Sequence, residues 1–250
     1  MTADEFMARG SNILRPIIES EFGPLPQFDM CRFNGDPDPK GVPFWVPSTR
    51  KLQIQYQRAT IDALLKEGSF YHLWMSLTHE LLHIYNTDTR NADSWTQLSH
   101  WSEGISQLAA FKLNEKLISS DQAGECLSQL FGSLSPRPKL SSARLKLHIT
   151  DLLAYDLAFL RRVKVVRSPG EGANALPLAV PRAAITDSRD YMPQLANGFR
   201  HQFPYVVGMY RCGRIVSSGR MTLRQLVFTP ITNRRLRYLA NQIVLPGENK

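Results

Sequence analysis

The sequence predicts an α+β fold in which a small sheet precedes a mainly helical C-terminal part. Residues 51–57 alternate polar and apolar side chains with a period of two, whereas residues 69–85 and 142–163 carry apolar side chains three and four positions apart. The 250 residues are 43% hydrophobic and 21% charged, as in ordinary globular proteins. Disordered and fibrous classes are therefore excluded.

The predicted elements follow one another with short breaks. Residues 21–50 are rich in Pro, Gly and Asp, which predicts irregular chain with one short strand at most. The alternating residues 51–57 predict a half-buried strand at the edge of the sheet. Residues 86–93 and 167–190 are predicted loops. Helices are predicted over the ranges 60–66, 69–85, 99–118, 142–163, 205–217, 222–228 and 233–242, with one more that ends near residue 131.

Charge is distributed unevenly along the chain. Residues 1–130 hold 11 basic and 16 acidic side chains, a net charge of −5, whereas residues 131–250 hold 19 and 6, a net charge of +13. This asymmetry predicts attraction to an anionic partner, such as nucleic acid, an acidic protein or a membrane surface, unless the basic residues pair with the acidic first half. Seven arginines fall within 27 positions that contain no Asp or Glu: Arg211, Arg214, Arg220, Arg224, Arg234, Arg235 and Arg237.

Cysteine usage and the N-terminal residues bear on location. The cysteines are odd in number and widely spaced, which fits a reducing compartment and no disulfide framework: Cys31, Cys126 and Cys212. Residues 1–20 lack the basic start and apolar run of a secretory signal, and no uncharged stretch reaches the roughly 18 residues of a membrane span. We therefore expect a cytoplasmic protein. An effector that is delivered into the cytoplasm of another cell would show the same features.

One motif carries chemistry, the HExxH pattern from His79 to His83, and it lies inside a predicted helix. With 6 His and 10 Glu in the chain, this pattern is expected by chance only about 0.006 times. Helix positions i and i+4 lie about 40° apart around the axis and about 6 Å along it, so both imidazoles can bind one tetrahedral zinc ion. Glu80 lies about 100° further round, where it can take the proton of a zinc-bound water.

A catalytic zinc site has three protein ligands and one open position, so a third ligand is required. Glu103 is the leading candidate, since it lies on the next predicted helix with 19 residues between it and His83. His100 on the same helix and Asp93 in the preceding loop are the alternatives. His72 shares a face with His79, but about 10 Å along the axis is too far for the same ion, which predicts that His72 is structural or supports the site from outside the ligand set.

Residues 70–113 resemble the gluzincins, the thermolysin-like zinc peptidases, whose third ligand is a glutamate on the helix after the motif. The 19-residue separation matches theirs, and Glu103-Gly104 is similar to the Glu-Gly step of the aminopeptidase-like branch. The resemblance implies a zincin-like fold, with a small mixed sheet that has an edge strand, an active-site helix and a helical C-terminal lobe. It also implies roles for four residues: His79, His83 and Glu103 as zinc ligands and Glu80 as general base.

The chain departs from the gluzincin pattern on both sides of the ligand glutamate. The family commonly has Asn before it and Asp four residues after it, whereas this chain has Ser102 and Gln107. The aspartate orients a ligand histidine, and the amide oxygen of Gln107 can accept the same N–H without a charge.

The resemblance also implies two lobes that form one catalytic unit. Residues 1–95 hold the edge strand and the motif helix, and residues 96–250 hold the glutamate helix and the basic region. A donor to the reaction's oxyanion is expected in the second lobe. Tyr205 is the leading candidate because Pro204 suits a helix start; the alternatives are Tyr210, His201 and simple packing of all three.

The sequence therefore predicts a zinc-dependent metallopeptidase that acts on a protein or peptide, which the predicted edge strand can pair with. The alternative is a zincin-fold binding protein whose basic C-terminal half contacts nucleic acid or an acidic partner. Glu80 argues against this alternative, because a purely structural zinc ion needs no base beside it.

Overall fold

The structure is a computed structural model that describes residues 1–35, 43–47, 52–86, 95–162 and 192–228. Within these ranges, eight helices surround a three-stranded sheet. The helices are α1 (Ala3–Phe22), α2 (Arg58–Glu67), α3 (Phe70–Asn86), α4 (Trp95–Ser119), α5 (Gln122–Phe131), α6 (Ser142–Arg162), α7 (Met192–Ser217) and α8 (Leu223–Phe228). The strands are β1 (Asp29–Arg32), β2 (Phe44–Trp45) and β3 (Gln53–Tyr56).

The strand predicted over residues 51–57 exists as β3, but its predicted place at the edge of the sheet is wrong. The strand order is β1-β3-β2, so β3 lies in the centre, parallel to β1 and antiparallel to β2. Ile54 and Tyr56 are buried whereas Gln53 and Gln55 are half-buried. The alternation reports one buried face, which central and edge strands share, so it cannot distinguish the two positions.

The range 21–50, predicted to hold one strand at most, contains two. β1 has four residues and β2 has two, too few for periodicity to be recognised. Both strands pair with β3, so they form only when the chain folds back on itself, and the local sequence does not indicate them. β2 occupies an edge of the sheet that the structure describes.

Helix α1 is an element that the sequence interpretation did not include. It begins with a capping box, in which the Thr2 hydroxyl accepts a hydrogen bond from the Glu5 backbone N–H and the Glu5 carboxylate accepts one from the Thr2 N–H. Asp4 joins the helix to the sheet, because its carboxylate accepts hydrogen bonds from Arg32 of β1 and from the Tyr56 hydroxyl of β3. The apolar side of α1 packs against α3, α5 and α8.

The other predicted helices with described residues are confirmed, with one change of extent. Helix α7 begins at Met192, well before the predicted start at residue 205. Pro204 therefore lies inside the helix, and Pro193, in its first turn, stands where a helix start favours proline. The predicted loop 167–190 and the predicted helix 233–242 lie outside the described residues, as does most of the loop 86–93.

One apolar core runs through the molecule, with α3 packed against α1, α4 and α8. Trp74 of α3 and Asn114 of α4 join the two helices, since the indole N–H donates to the amide oxygen over 2.6 Å. The core contains residues from both sides of the predicted division after residue 95. The two-lobe organisation itself stays a prediction.

Asp156 of α6 is the one carboxylic acid among the buried polar residues that the structure describes, and burial raises its pKa to about 7. The folded protein accommodates the neutral acid better than the carboxylate. The free energy of unfolding is therefore largest below the pKa that Asp156 has in the unfolded chain, and it falls as the pH rises towards 7. We expect Asp156→Asn to stabilise the protein by up to a few kcal/mol at pH 8 and to have little effect near pH 4. Denaturant unfolding at the two pH values measures this. Asp151→Asn, an exposed change on the same helix, is the control, and equal effects of Asp156→Asn at both pH values would contradict the assignment.

Candidate metal centre

His79 and His83 enter the candidate site from the buried side of α3. A stripe of leucines and one isoleucine holds this side in the core: Leu73, Leu77, Leu81 and Ile84. The two histidines lie one turn apart and are only 5% and 2% exposed. Their Nε2 atoms are 2.8 Å apart, so both imidazoles point at one place, as the i, i+4 spacing predicts.

Glu103 of α4 completes the cluster. Its Oε2 atom lies 3.0 Å from Nε2 of His79 and 3.0 Å from Nε2 of His83. These three residues form the one group of metal-ligand type found among the described residues. Of the alternative third ligands, Asp93 lies outside the described residues and the side chain of His100 is not among those described.

The departures from the gluzincin pattern have visible consequences. Ser102 Oγ lies 3.0 Å from Nδ1 of His83, and it accepts a hydrogen bond when that nitrogen carries the proton. Nδ1 of His79 is buried without a hydrogen-bond partner among the described residues. Gln107 lies close enough to favour the protonated form of His79, although its side chain makes no hydrogen bond of ordinary geometry to that nitrogen.

Burial and the neighbouring charged groups shift the pKa values of the residues in the cluster. Burial favours the neutral form of Glu103, but His83 and His79 outweigh it, so the pKa of Glu103 is lowered. Burial and the neighbouring His83 lower the pKa of His79, which favours the neutral imidazole that binds metal ions. At neutral pH the cluster therefore presents the carboxylate of Glu103 and the neutral imidazole of His79.

A zinc ion fits these donors. Each imidazole can satisfy the carboxylate only with a proton on Nε2, and two such N–H groups 2.8 Å apart repel each other. A bound cation replaces both protons. Zinc bonds of about 2.0–2.1 Å in a tetrahedron separate the ligand atoms by about 3.3 Å, so shifts of a few tenths of an ångström suffice. Two His and one Glu are also a donor set of catalytic zinc sites.

Glu80 stands beside the cluster and is half-buried. Burial and the nearby Glu103 carboxylate raise its pKa to about 8, against the opposing effects of His83 and of a hydrogen bond from the Val46 backbone amide. A cation at the cluster would favour the carboxylate form of Glu80. The contact with Val46 was not predicted, because it joins the motif to a residue that follows β2 and has no motif of its own.

Tyr205 of α7 is brought to the site, as the sequence predicts. Its ring centroid lies 5.5 Å from that of His79, and its side chain is 37% exposed. Desolvation and the carboxylates of Glu103 and Glu80 raise the pKa of its hydroxyl, which therefore keeps its proton at neutral pH. The alternative Tyr210 is 1% exposed and belongs to the core, and the side chain of the third candidate, His201, is not described.

Helix α7 comes near the cluster because it crosses α4 in backbone contact. A Cβ atom on Gly104 would lie 2.1 Å from the carbonyl carbon of Gly208, so a glycine is required at this crossing. Gly104 directly follows the ligand Glu103, and Gly208 lies about one turn after Tyr205. The crossing therefore sets the distance between the tyrosine and the cluster.

A cavity of about 290 Å³ opens beside the cluster. Its walls come from the chain around β2 and from α3, α4, α6 and α7: Pro43, Phe44, His72, Met75, Ser76, His79, Glu80, Gln107, Leu152 and Tyr205. His72, predicted to be structural or to support the site from outside the ligand set, is thus a lining residue. The sequence offered no signal for Leu152, because its helix is far from the motif along the chain.

The edge of β2 runs along the same side. The Gln57 backbone N–H donates to the Pro43 carbonyl over 2.9 Å, and Phe44 is opposite Tyr56 in the register. Bonded and non-bonded pairs alternate in an antiparallel ladder, so the N–H and C=O of Phe44 point away from β3. This edge leads directly to Val46 and Glu80.

Compared with known proteins, the chain matches no protein-family model, no curated protein and no solved structure. The resemblance to gluzincins therefore rests on the motif and its spacing to Glu103 alone.

The structure does not show whether the seven arginines between residues 211 and 237 share one face of the protein. Two arginines lie over aromatic rings, Arg211 over Trp101 at 5.9 Å and Arg224 over Phe228 at 5.7 Å. Three of the seven predicted arginines lie outside the described residues, so a shared face for an anionic partner stays a prediction. None of the described helices combines the length and apolar character that crossing a membrane requires.

We expect one zinc ion per chain, and we expect zinc to raise the thermal unfolding midpoint because it binds the folded cluster. Glu103→Gln should remove most of this increase, because a neutral amide is a weaker ligand than a carboxylate. Glu115→Gln, on the same helix and paired with Lys112, is the matched control. Full zinc content and an unchanged zinc-dependent shift in Glu103→Gln, by metal analysis and calorimetry, would exclude Glu103 as a ligand.

Gly104→Ala should separate α7 from α4 and destabilise the protein by roughly 1–3 kcal/mol or more, because the added methyl group meets backbone atoms. Gly10→Ala is the control, since its methyl group meets the ends of two leucine side chains and no backbone atom: Leu77 at 2.5 Å and Leu130 at 3.8 Å. Denaturant unfolding compares the two variants. An equal or smaller loss in Gly104→Ala would show that the crossing can relax.

Proposed function

We propose that the protein is a zinc-dependent peptidase of the gluzincin type that hydrolyses peptide bonds in a protein or peptide. The observation that carries the proposal is the convergence of two imidazoles and a carboxylate, with an independent carboxyl group, Glu80, directly beside them. A site built only to hold a metal ion for stability is closed and has no use for that group.

Each residue near the cluster has a role in amide hydrolysis. A bound zinc ion would supply Lewis acidity and a water molecule of lowered pKa. Glu80 accepts the proton of the attacking water and delivers it to the leaving amine, which its position outside the ligand set allows. Ser102 holds the ring orientation of His83 through Nδ1.

Tyr205 is proposed as the donor to the oxyanion. Its raised pKa keeps the hydroxyl protonated at neutral pH, and its ring lies against that of His79. A donor already held in place stabilises the charge that develops on the carbonyl oxygen without reorganisation during the reaction.

The edge of β2 supports an extended peptide as the substrate. The backbone groups of Phe44 point away from β3 and can add a peptide strand to the sheet, although Phe44 is fully buried, so this pairing requires the peptide to displace what covers them. This pairing would lay the peptide alongside Glu80, since Val46 on the same edge contacts it. The strand that meets substrate is thus β2, in place of the strand over residues 51–57.

A cytoplasmic location, including delivery as an effector, remains part of the proposal. Cys31, Cys126 and Cys212 are all free thiols, in keeping with a reducing compartment.

Glu80→Gln should keep the fold and the zinc ion but lose nearly all hydrolysis of a casein or mixed-peptide substrate, because an amide cannot accept the proton of water. Mass spectrometry of the peptides and metal analysis of the same sample measure both properties. Glu67→Gln, at the end of α2, is the control. Peptidase activity retained in Glu80→Gln would rule out the general-base role, and an inactive zinc-loaded wild-type chain would favour the binding-protein alternative.

Tyr205→Phe should lower kcat by roughly 10²- to 10³-fold with little change in zinc content, since it removes an oxyanion donor. Tyr71→Phe is the matched control, because the Tyr71 hydroxyl contacts the Ser141 backbone away from the cluster. A decrease in kcat of less than threefold in Tyr205→Phe would show that the hydroxyl is not the oxyanion donor and that Tyr205 only packs at the site.

A further inference from the structure

The cavity beside the cluster has a metal end and a far end. His79, Glu80 and Tyr205 line the metal end, and His72 lines the far end. His72 and His79 are seven residues apart on α3, which separates them by about 10 Å along the helix axis. A group held at the far end is therefore close to the cluster without touching it.

The size of the cavity suits one side chain. Its volume of about 290 Å³ is at the lower limit of ligand pockets. Met75 of α3 and Leu152 of α6 contribute apolar wall to the cavity. A large side chain bound against them removes more apolar surface from water than a small one, which favours a large residue.

The lining offers no opposite charge to an ionised side chain at the far end. Among the lining residues that the structure describes there is no Lys, Arg or Asp, and Glu80 lies at the metal end. Because His72 is itself exposed, a lysine or aspartate of the substrate keeps part of its water there, but it finds no opposite charge. This lining therefore favours an uncharged occupant.

The far end nevertheless has polar groups to offer. Neither His72 nor Ser76 makes a hydrogen bond to another described residue, and both line the cavity. Burial lowers the pKa of His72, so its ring is neutral and has one donor and one acceptor nitrogen. A hydroxyl group at the tip of a bound side chain can pair with it.

We propose that this cavity is the specificity pocket of the enzyme and selects a large uncharged substrate residue with a polar tip, tyrosine above phenylalanine, through His72. The inference rests on the proposed function, since it assigns the residue that the peptidase recognises beside the bond it cleaves. His72 acts here as a specificity residue and takes no part in the chemistry.

The test measures binding without turnover. Zinc-loaded full-length protein with Glu80→Gln is titrated by calorimetry with acetylated, amidated alanine hexapeptides that carry one guest residue: Tyr, Phe, Ala, Asp or Lys. We expect the Tyr peptide to bind at least tenfold more tightly than the Ala, Asp and Lys peptides. We expect it to bind roughly fivefold more tightly than the Phe peptide, the size of one hydrogen bond.

Two further changes locate the preference. His72→Phe in the same background should bring the Tyr-to-Phe ratio to about one. Leu152→Trp should fill the pocket and bring the Tyr peptide down to the level of the Ala peptide, whereas Leu147→Trp, at an exposed position on α6, should not. Ser76→Leu fills the same space from α3 and replaces Leu152→Trp if that variant does not fold.

The outcomes separate this inference from the proposed function. An Ala peptide that binds as tightly as the Tyr peptide, or a Tyr-to-Phe ratio unchanged by His72→Phe, overturns the pocket assignment. The wild-type chain, incubated with the same peptides, reports hydrolysis independently. If the peptides bind selectively but the wild-type chain hydrolyses none of them, the pocket assignment is supported and the peptidase function is rejected. If the wild-type chain hydrolyses the peptides without a preference for the guest residue, the peptidase function is supported and the pocket assignment is rejected.

Discussion

The site depends on keeping two imidazoles and a carboxylate together inside an apolar core. Polar groups are costly there unless each is satisfied, and the crossing of α3 and α4 brings the three close enough to bind one cation together. The 2.6 Å hydrogen bond between Trp74 and Asn114 fixes the two helices further along the same interface. The core therefore orients the donors before any ion arrives, which lowers the entropic cost of binding one.

The remaining parts approach this crossing from separate regions of the chain. Helix α7 supplies Tyr205, and the chain around β2 supplies the Val46 amide to Glu80. β2 has only two residues and takes its position from β3, which Asp4 of α1 holds through Tyr56. The N-terminal helix, although distant from the chemistry, thus helps to set where a peptide strand would lie.

The sequence predicted what short-range spacing controls. His79, Glu80 and His83 follow from helix geometry, and Glu103 follows from its spacing to His83 together with a family resemblance. The place of β3 within the sheet was not predictable, because its neighbours pair with it across the fold. Pro204 was misread as a helix start because proline favours that position, whereas α7 continues through it.

The cavity escaped prediction for a related reason. Its far wall is formed by Leu152 on α6, and neither a motif nor a periodicity connects that residue with His79.

The contact between Gly104 and Gly208 has a consequence for the history of the protein. Gly104 cannot gain a side chain while the two backbones touch, and opening the crossing would move Tyr205 from the cluster. Relatives that share this crossing should therefore retain a glycine at the position of Gly104, directly after the candidate ligand.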